Sequence, residues 1–343
     1  MMRAPDFQYH AARSVRDAAQ ALREGGAEAI LIAGGTDLVP NLKRRQMAPR
    51  LLVGIRHLRE LGRVRNGAGL TLGAAVRLAD VAAERRVLKH WPALARAAGQ
   101  VATPQIRNLG TLGGNLCLDT RCTYYNQSAE WRQGINYCMK APGSTGGHAC
   151  TSPSGDAICW VATSSPRCWA VSSTDTAPAL IALGARVTLV SADGEREIPL
   201  EELYADDGMA YLTKRPDEIL TAVRLAPAEP GWRSTYWKIR RRGSFDFPVL
   251  GVAAAVRLGE GGVVADLRVV LGAVASRPVS VPEAAAQVGR PLTDEAIAAV
   301  AAAASDLATP LDNTDLAYAW RKKMVAPTVS GALREVRGAI PSA

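Results

Sequence analysis

Helix-like and strand-like hydrophobic patterns alternate along the first 116 residues. Apolar positions at helical spacing predict a helix from Ser14 to Glu24, which Gly25 and Gly26 end. Short apolar runs predict buried strands in AEAILIAGGTDL and from Leu51 to Ile55. Further on, TLGAAV predicts a strand, RLADVAAERRVLKHWPALARAA one long helix, and QIRNLGTLGGN a strand and a turn. This alternation predicts an α+β or α/β nucleotide-binding unit.

Neither the helix-like nor the strand-like hydrophobic pattern continues in the segment from Cys117 to Cys168. Within this segment, residues 141–156 read APGSTGGHACTSPSGD and are rich in Gly, Ser and Pro, which is typical of a flexible excursion. A segment this long without regular structure is unusual inside a compact domain unless something holds it. We expect a metal to hold it.

Regular patterning returns at DTAPALIALGARVTLVSADGEREIPL, which predicts a helix and then a hairpin that turns at Asp193-Gly194. EILTAVRLAP predicts another strand, and a boundary is expected in PAEPG, near residues 226–231. Beyond it, YWKIRRRG and an antiparallel strand pair precede helices over Thr293–Leu307 and Ala317–Leu333. The last part of the chain is therefore expected to be a small α+β domain.

Composition and charge narrow the class of protein. The 343 residues are 48% hydrophobic and 21% charged, which is typical of a globular protein, and the length predicts two or three domains. The net charge of +9 comes mostly from scattered Arg, and without a nucleic-acid-binding motif we expect no nucleic acid. The N-terminus lacks a signal-peptide core, and the longest apolar run is shorter than the ~20 residues of a membrane span. We expect a cytoplasmic protein with no membrane partner.

The cysteines are concentrated in the segment without regular patterning. All six of the chain lie there: Cys117, Cys122, Cys138, Cys150, Cys159 and Cys168. No CxxC motif is present, so ordinary zinc-ribbon and bacterial ferredoxin patterns are excluded. Packing as small hydrophobes explains one or two cysteines but not six in one segment. In a reducing compartment they favour a four-cysteine metal or redox site. His148 is a further candidate ligand if the metal is zinc, although a lone His in such a flexible stretch is usually solvated.

Two Gly-Gly turns follow predicted strands in the first half, in AGGTD and in TLGGN. Glycines allow the backbone to approach a pyrophosphate, and successive N–H groups form an anion-binding nest. Neither turn is a GxGxxG or Walker motif, and each alone is most often a simple turn. Two such turns in one domain, each with a Thr hydroxyl, favour a bound dinucleotide.

Taken together, the motifs resemble a known family. AGGTD, QIRNLGTLGGN, STDTAPALIALGA and WKIRRRGSFDFP occur in the order found in FAD-binding subunits of molybdenum hydroxylases, relatives of xanthine dehydrogenase and CO dehydrogenase. Most members run almost directly from TLGGN to the S-D-x-x-P segment, whereas about sixty residues separate Asn115 from Asp175 here. LCLDTRCTYYNQS and WVATSSPRC resemble the β subunits of 4-hydroxybenzoyl-CoA reductases, in which this loop binds an additional [4Fe–4S] cluster.

The resemblance implies the fold. It is a two-part α+β FAD-binding domain of the vanillyl-alcohol-oxidase (PCMH) type with an iron–sulfur loop insertion. A small α+β C-terminal domain of the CO dehydrogenase flavoprotein type follows. The expected boundaries are 1–57 and 58–228 for the two FAD-binding subdomains, about 117–169 for the insertion, and 229–343 for the C-terminal domain.

The resemblance also implies the site residues. Two pyrophosphate loops hold FAD, Asp175 accepts hydrogen bonds from the adenosine side, Lys238 reaches the flavin, and Leu220 lies near its rings. The full set for FAD is Leu31, Ile32, Ala33, Gly34, Gly35, Thr36, Asp37, Leu38, Thr111, Leu112, Gly113, Gly114, Asn115, Asp175, Leu220 and Lys238. The set for the cluster is Cys122, Cys138, Cys159 and Cys168, with Cys150 as the alternative to Cys159.

The function implied is electron transfer without substrate-binding residues in this chain. Ferredoxin reduces the [4Fe–4S] cluster, FAD passes electrons singly to [2Fe–2S] clusters in one partner subunit, and a molybdenum-cofactor subunit dehydroxylates 4-hydroxybenzoyl-CoA. The complex is expected to be a dimer of heterotrimers. Two alternatives stay open: the flavin subunit of another molybdenum hydroxylase, with NAD or a quinone as electron partner, and a zinc-stapled binding protein whose glycine pairs are only turns.

Overall fold

The computed structural model describes residues 3–67, 69–141 and 158–338. The strands of this part are β1 (Gln8–Ala11), β2 (Ala29–Ile32), β3 (Leu51–Gly54), β4 (Val64–Asn66), β5 (Leu70–Gly73), β6 (Arg186–Val190), β7 (Glu195–Pro199), β8 (Ile219–Leu225), β9 (Trp232–Ile239), β10 (Leu250–Leu258), β11 (Val264–Gly272) and β12 (Val279–Ser280). The helices are α1 (Val15–Gly25), α2 (Leu38–Lys43), α3 (Leu78–Ala83), α4 (Arg85–His90), α5 (Pro92–Gly99), α6 (Pro104–Arg107), α7 (Leu112–Leu116), α8 (Ala129–Gly134), α9 (Thr176–Ala182), α10 (Asp294–Leu307) and α11 (Tyr318–Arg337).

The N-terminal sheet is small and parallel. Its strand order is β1-β3-β2, and the central strand β3 pairs in parallel with both neighbours. Helix α1 begins after Ser14, whose side chain accepts a hydrogen bond from the Asp17 N–H, and it buries Ala18 and Leu22 in a shared core. The predicted helix and both predicted strands are thus confirmed. The first predicted FAD loop, Leu31 to Leu38, begins within the last two residues of β2 and continues beyond it.

A second sheet of five antiparallel strands carries the other half of the FAD-binding unit. Its order is β4-β5-β8-β6-β7, and β6 and β7 form the predicted hairpin. Helix α9 is buried along its whole length and packs in the same core as Val187 of β6 and Val223 of β8. The strands predicted from TLGAAV and EILTAVRLAP are present as β5 and β8.

The C-terminal unit is a four-stranded antiparallel sheet covered by two helices. Its strand order is β12-β11-β10-β9, and α10 and α11 pack against it around Val252, Val329 and Leu333. Thr293 caps α10 by accepting a hydrogen bond from the Ala296 N–H. These elements confirm the predicted antiparallel strands and the two predicted helices.

Two sequence predictions are wrong in detail. The predicted long helix is divided into α3, α4 and α5, because Glu84 adopts an extended conformation and Pro92 starts a new helix at its first position. QIRNLGTLGGN forms two short helices, α6 and α7, rather than a strand. Thr103 and Thr111 start these helices, since each side chain accepts a backbone N–H at the helix N-terminus.

Candidate functional site

A cavity of about 840 Å³ lies between the N-terminal sheet and the five-stranded sheet. Both predicted pyrophosphate loops line it, together with Leu220 of β8 and residues from 245–247 and 313–315 of the C-terminal unit. This size lies within the range of small-molecule and cofactor sites. Every residue predicted to bind FAD lines this cavity, except Leu112 and Lys238.

The first predicted loop, Leu31 to Leu38, lines the cavity along its whole length. A Cβ atom on Gly34 would lie 2.2 Å from the carbonyl oxygen of Leu109, so only glycine permits the two loops to pack backbone against backbone. Gly35 has a φ of +69°, a conformation that side chains disfavour. Gly34 and Gly35 thus allow the first loop to pack against Leu109, which precedes the second loop in the sequence.

The second predicted loop is the N-terminus of α7. The Thr111 hydroxyl accepts the Gly114 N–H at 3.1 Å, while Leu112 turns into the core and is fully buried. The Asn115 side-chain oxygen accepts hydrogen bonds from the hydroxyls of Thr174 and Thr176, at 2.9 and 2.6 Å. Asn115 therefore holds the segment that carries Asp175 against this loop.

Asp175 lines the cavity, but its carboxylate is already engaged. The Tyr236 hydroxyl donates to one oxygen at 2.8 Å, and the Lys238 ammonium donates to the other at 2.9 Å. Burial raises the pKa of Asp175 and lowers the pKa of Lys238, although their mutual attraction opposes both shifts. Lys238 is therefore directed at Asp175 and the Gln100 carbonyl, and its predicted contact with the flavin stays a prediction.

Arg121 is a cavity residue that the sequence analysis did not single out. Its guanidinium pairs with Asp37 of the first loop, and it lies 4.5 Å from the ring centroid of Phe247. Burial lowers its pKa to about 10. Phe245 and Phe247 bring the C-terminal unit to the cavity. Neither was predicted as a site residue, although both belong to the motif WKIRRRGSFDFP, which is the sequence signal that lies closest to them.

The cavity lining also holds buried polar atoms without a hydrogen-bond partner among the described residues. They include Asn41 Oδ1, Asp119 Oδ2, Arg121 Nε, Asn126 Nδ2, Ser173 Oγ and Asn313 Oδ1. Buried polar groups normally find partners, because leaving one unpaired costs about 1–3 kcal/mol. A polar dinucleotide supplies such partners, so these residues fit FAD.

A second, smaller cavity is lined by the four cysteines predicted for the cluster. Cys122, Cys138, Cys159 and Cys168 are each at least nine-tenths buried and pack in one group, which includes Tyr125 and Met139. Their side chains come from three separate stretches of the chain. Cys117 is apart from them and lines the larger cavity. Cys150 and His148 lie outside the described residues.

The number and kind of donors fit a [4Fe–4S] cluster, which four thiolates hold. Among the described residues, no group of three or more His, Cys, Asp or Glu side chains forms a site for one metal ion. The cavity encloses about 10 Å³, close to the volume that one water molecule needs, so a cluster requires the four side chains to separate.

The cysteine thiols differ in their proton affinity. A hydrogen bond from the Cys168 thiol lowers the pKa of Cys159, and the same bond raises the pKa of Cys168. Burial raises the pKa of Cys122 to about 11. The hydrogen bond between Cys168 and Cys159 thus favours the thiolate form at Cys159 over that at Cys168, and the thiolate is the metal-binding form of cysteine.

The three tryptophans of the insertion have different environments. Trp160 and Trp169 pack against the cysteine group, and the indole of Trp160 donates to the Tyr137 carbonyl. The Arg167 guanidinium lies 3.7 Å from the ring centroid of Trp169. Trp131 is 41% exposed, so of the three only Trp160 and Trp169 contribute to shielding of the cysteines from water.

Comparison with known proteins agrees with this architecture. Residues 5–228 match the FAD binding domain in molybdopterin dehydrogenase, and residues 234–336 match the CO dehydrogenase flavoprotein C-terminal domain. The chain is 32% identical to the aldehyde oxidoreductase FAD-binding subunit PaoB of Escherichia coli, over 83% of this chain and 86% of that protein. It is 29% identical to the 6-hydroxypseudooxynicotine dehydrogenase complex subunit alpha of Paenarthrobacter nicotinovorans, over 98% and 97%.

A solved structure shares the whole fold. Carbon monoxide dehydrogenase from Hydrogenophaga pseudoflava, in a form that lacks the Mo-pyranopterin moiety of the molybdenum cofactor, matches with a TM-score of 0.76 and 26% identity. The match covers 97% of this chain and 98% of that one. The predicted fold class is confirmed.

The fold and the cavity define a two-domain flavoprotein that belongs to a multi-subunit class of oxidoreductases. The chain belongs to the family of FAD-binding subunits of molybdenum hydroxylases, of the carbon monoxide dehydrogenase medium-chain type. FAD is its cofactor, and the large cavity is where the described residues fit it. No helix in the described part is long and apolar enough to cross a bilayer.

Proposed function

We propose that this chain is an electron-transfer subunit that holds a [4Fe–4S] cluster beside FAD. The single observation that supports the cluster is the convergence of Cys122, Cys138, Cys159 and Cys168 on one buried cavity. Buried cysteines that share a cavity with Lys140 and two tyrosines are not a simple apolar core. When bound, the cluster and FAD supply one-electron and two-electron carriers.

The residues of the chain have distinct roles in this proposal. The two glycine loops hold the pyrophosphate of FAD, Leu220 contacts its rings, and the four cysteines ligate the iron. Cys122 lines both cavities, so one side chain belongs to the walls of both sites. Electron transfer depends on proximity, and the wall that the two cavities share at Cys122 supports this proposal.

The partners and the substrate extend the proposal. The electron donor is ferredoxin, the partner subunits carry [2Fe–2S] clusters and the molybdenum cofactor, and the complex is a dimer of heterotrimers in the cytoplasm. The substrate of the complex is 4-hydroxybenzoyl-CoA, which is reductively dehydroxylated to benzoyl-CoA. The support for this substrate is the resemblance of the cysteine-bearing insertion, since the relatives reported above act on other compounds by name.

The test is anaerobic purification of the full chain, followed by analysis of iron, sulfide and flavin. We expect one FAD and about four irons with four sulfides per chain, the content of one such cluster. If the purified chain contains flavin but no iron, the proposed cluster is wrong, whereas the assignment as an FAD-binding subunit is unaffected. Assay of the whole complex with 4-hydroxybenzoyl-CoA and reduced ferredoxin then tests the substrate.

A second candidate is the flavin subunit of another molybdenum hydroxylase, with NAD or a quinone as electron partner. The observation that favours it is the likeness over 97% or more of both chains to the 6-hydroxypseudooxynicotine dehydrogenase subunit. On this alternative the four cysteines are a buried structural group and the purified chain holds no iron. The same metal analysis therefore distinguishes the two candidates.

A further inference from the structure

The ammonium group of Lys140 lies buried between the two cavities. Its side chain is only 6% exposed. Its Nζ donates to Asp119 Oδ1 at 2.7 Å, to Thr120 Oγ1 at 2.6 Å and to the carbonyl oxygen of Gly208 at 2.6 Å. An ammonium group has three donors, so all of them are used and the charge is fixed in place.

Lys140 contacts residues of both sites. It lines the cysteine cavity beside Tyr125, whose ring centroid lies 4.8 Å from Nζ. On its other side, Asp119 and Tyr211 line the cofactor cavity, and the Tyr211 ring centroid lies 5.2 Å from Nζ. The wall between the cavities thus contains Cys122 and one buried ion pair.

The simpler explanation of this lysine is structural: its hydrogen bonds link its own loop to the loop of Asp119 and Thr120 and to the loop of Gly208. Burying an ion pair costs desolvation free energy, however, so such a pair is weak evidence for a role in stability. A charge in a low-dielectric interior also acts on its surroundings more strongly than it does in water. Because Lys140 lies between the two proposed electron-carrier sites, its charge affects the free energy of adding an electron on either side. A neutral hydrogen-bond donor at the same position would not have this effect.

We propose that Lys140 is a positioning residue that raises the reduction potential of the carriers on both of its sides. Its positive charge stabilises the negative charge that each side gains on reduction, and it compensates Asp119, which faces the cofactor cavity. The reaction concerned moves electrons one at a time from an external iron–sulfur donor protein, which is oxidised, to the flavin, which is reduced and takes up protons from water. The cluster side of this inference rests on the proposed function, and the flavin side rests on the family alone.

The test is an equilibrium redox titration of the purified full chain, followed by its flavin and iron–sulfur absorbance. Lys140→Met leaves Asp119 uncompensated, so both potentials should fall. We expect one-electron reduction to become at least about tenfold less favourable, which corresponds to about 59 mV. Lys140→Arg keeps the charge and should stay near the wild type. Lys89→Met removes an exposed lysine outside both cavities and is the matched control.

Asp119→Asn supplies a prediction of the opposite sign. Removing the negative partner leaves Lys140 uncompensated, so the flavin potential should rise. Unchanged potentials in Lys140→Met overturn the inference. It is also overturned if the flavin potentials of Lys140→Met and Asp119→Asn shift in the same direction. If Lys140→Met does not fold, Asp119→Asn decides alone, because an unchanged or lower flavin potential overturns the inference. Iron and flavin analysis of the same samples shows separately whether the cluster is present.

Discussion

The Lys238 ammonium lies 2.9 Å from the Asp175 carboxylate, and both side chains are almost fully buried at 0% and 3% exposure. Lys238 belongs to β9 of the C-terminal unit, whereas Asp175 precedes α9 of the FAD-binding unit. The pair therefore joins the two domains directly beside the cofactor cavity, which Asp175 lines. A change at this contact affects both the domain interface and the cavity wall.

Lys238→Met should strongly destabilise the protein, because it leaves the Asp175 carboxylate buried without its cation. Breaking a buried ion pair by removing one partner costs about 3–5 kcal/mol. Urea unfolding at neutral pH measures the change. Tyr236→Phe is the matched control, since it removes only one hydrogen bond to the Asp175 carboxylate and should cost less, about 1.5–3 kcal/mol. Equal and small effects of the two variants contradict the importance of the ion pair.

This contact also shows what sequence patterns reveal about the fold and what they leave out. Strands such as β8 and the α1 helix follow from local hydrophobic periodicity, and the two glycine loops follow from their position after strands. The pairing of Lys238 with Asp175 spans 63 residues and depends on how two units dock. The approach of Arg121 to Asp37 depends likewise on long-range packing. Local patterns carry no information about either contact.

The same distinction explains the wrong predictions. The apolar face of the predicted long helix continues through α3, α4 and α5, so periodicity alone does not show the breaks. The breaks come from backbone geometry at Glu84 and from Pro92, which has no N–H to continue the preceding helix. Clustering of the cysteines in the sequence indicated a shared site, but only the fold brings Cys122 and Cys138 against Cys159 and Cys168.

Gly114→Val should deplete the purified protein of FAD while leaving its fold intact. Gly114 is exposed at the cavity, and a Cβ there approaches only the Thr111 hydroxyl, at 3.0 Å. A valine side chain thus takes space that is proposed to hold the pyrophosphate. Flavin content and the FAD dissociation constant measure the effect. Gly134→Val is a control outside both cavities, with no atom within 4 Å of its Cβ position. Full FAD binding by Gly114→Val shows the loop assignment to be wrong.

On the proposed function, Cys159→Ser should lose or degrade the cluster, because serine removes one of the four thiolates proposed to hold it. Cys117→Ser is the matched control, since Cys117 lies in the other cavity. Cys150→Ser should retain about four irons per chain if Cys150 is no ligand. Iron analysis of the three variants measures these outcomes. Iron loss in Cys150→Ser, together with normal iron in Cys159→Ser, reverses the choice between these two cysteines.

Glu218→Gln should lower the stability of the protein at neutral pH but not in acid. The Arg196 guanidinium donates to both carboxylate oxygens of Glu218, at 2.7 and 2.9 Å, and these bonds lower the pKa of Glu218. A carboxyl group with a lowered folded-state pKa stabilises the fold above its unfolded pKa of about 4.3. That stability is lost as the pH falls through the folded-state pKa. Urea unfolding across this pH range tests the prediction, and a difference that persists in acid contradicts it.

Reduction of the flavin by ferredoxin should slow as the ionic strength rises. The chain carries a net charge of +9, so an acidic donor is attracted over long range, and salt screens that attraction. Stopped-flow absorbance at increasing salt measures the rate. NADH should reduce the flavin poorly, because the sequence has no dinucleotide-binding fingerprint of the Rossmann type to hold it.

Loss of the cluster distinguishes two roles for the cysteine group in the same experiment. If the four cysteines provide the entry site for electrons, Cys168→Ser protein that retains FAD should no longer accept electrons from ferredoxin. Chemical reduction of its flavin with dithionite should be unaffected, which is the control for an intact cofactor site. A normal rate with ferredoxin means that electrons enter elsewhere. The cysteine group then serves to hold the insertion together, and the proposed electron-entry role is wrong.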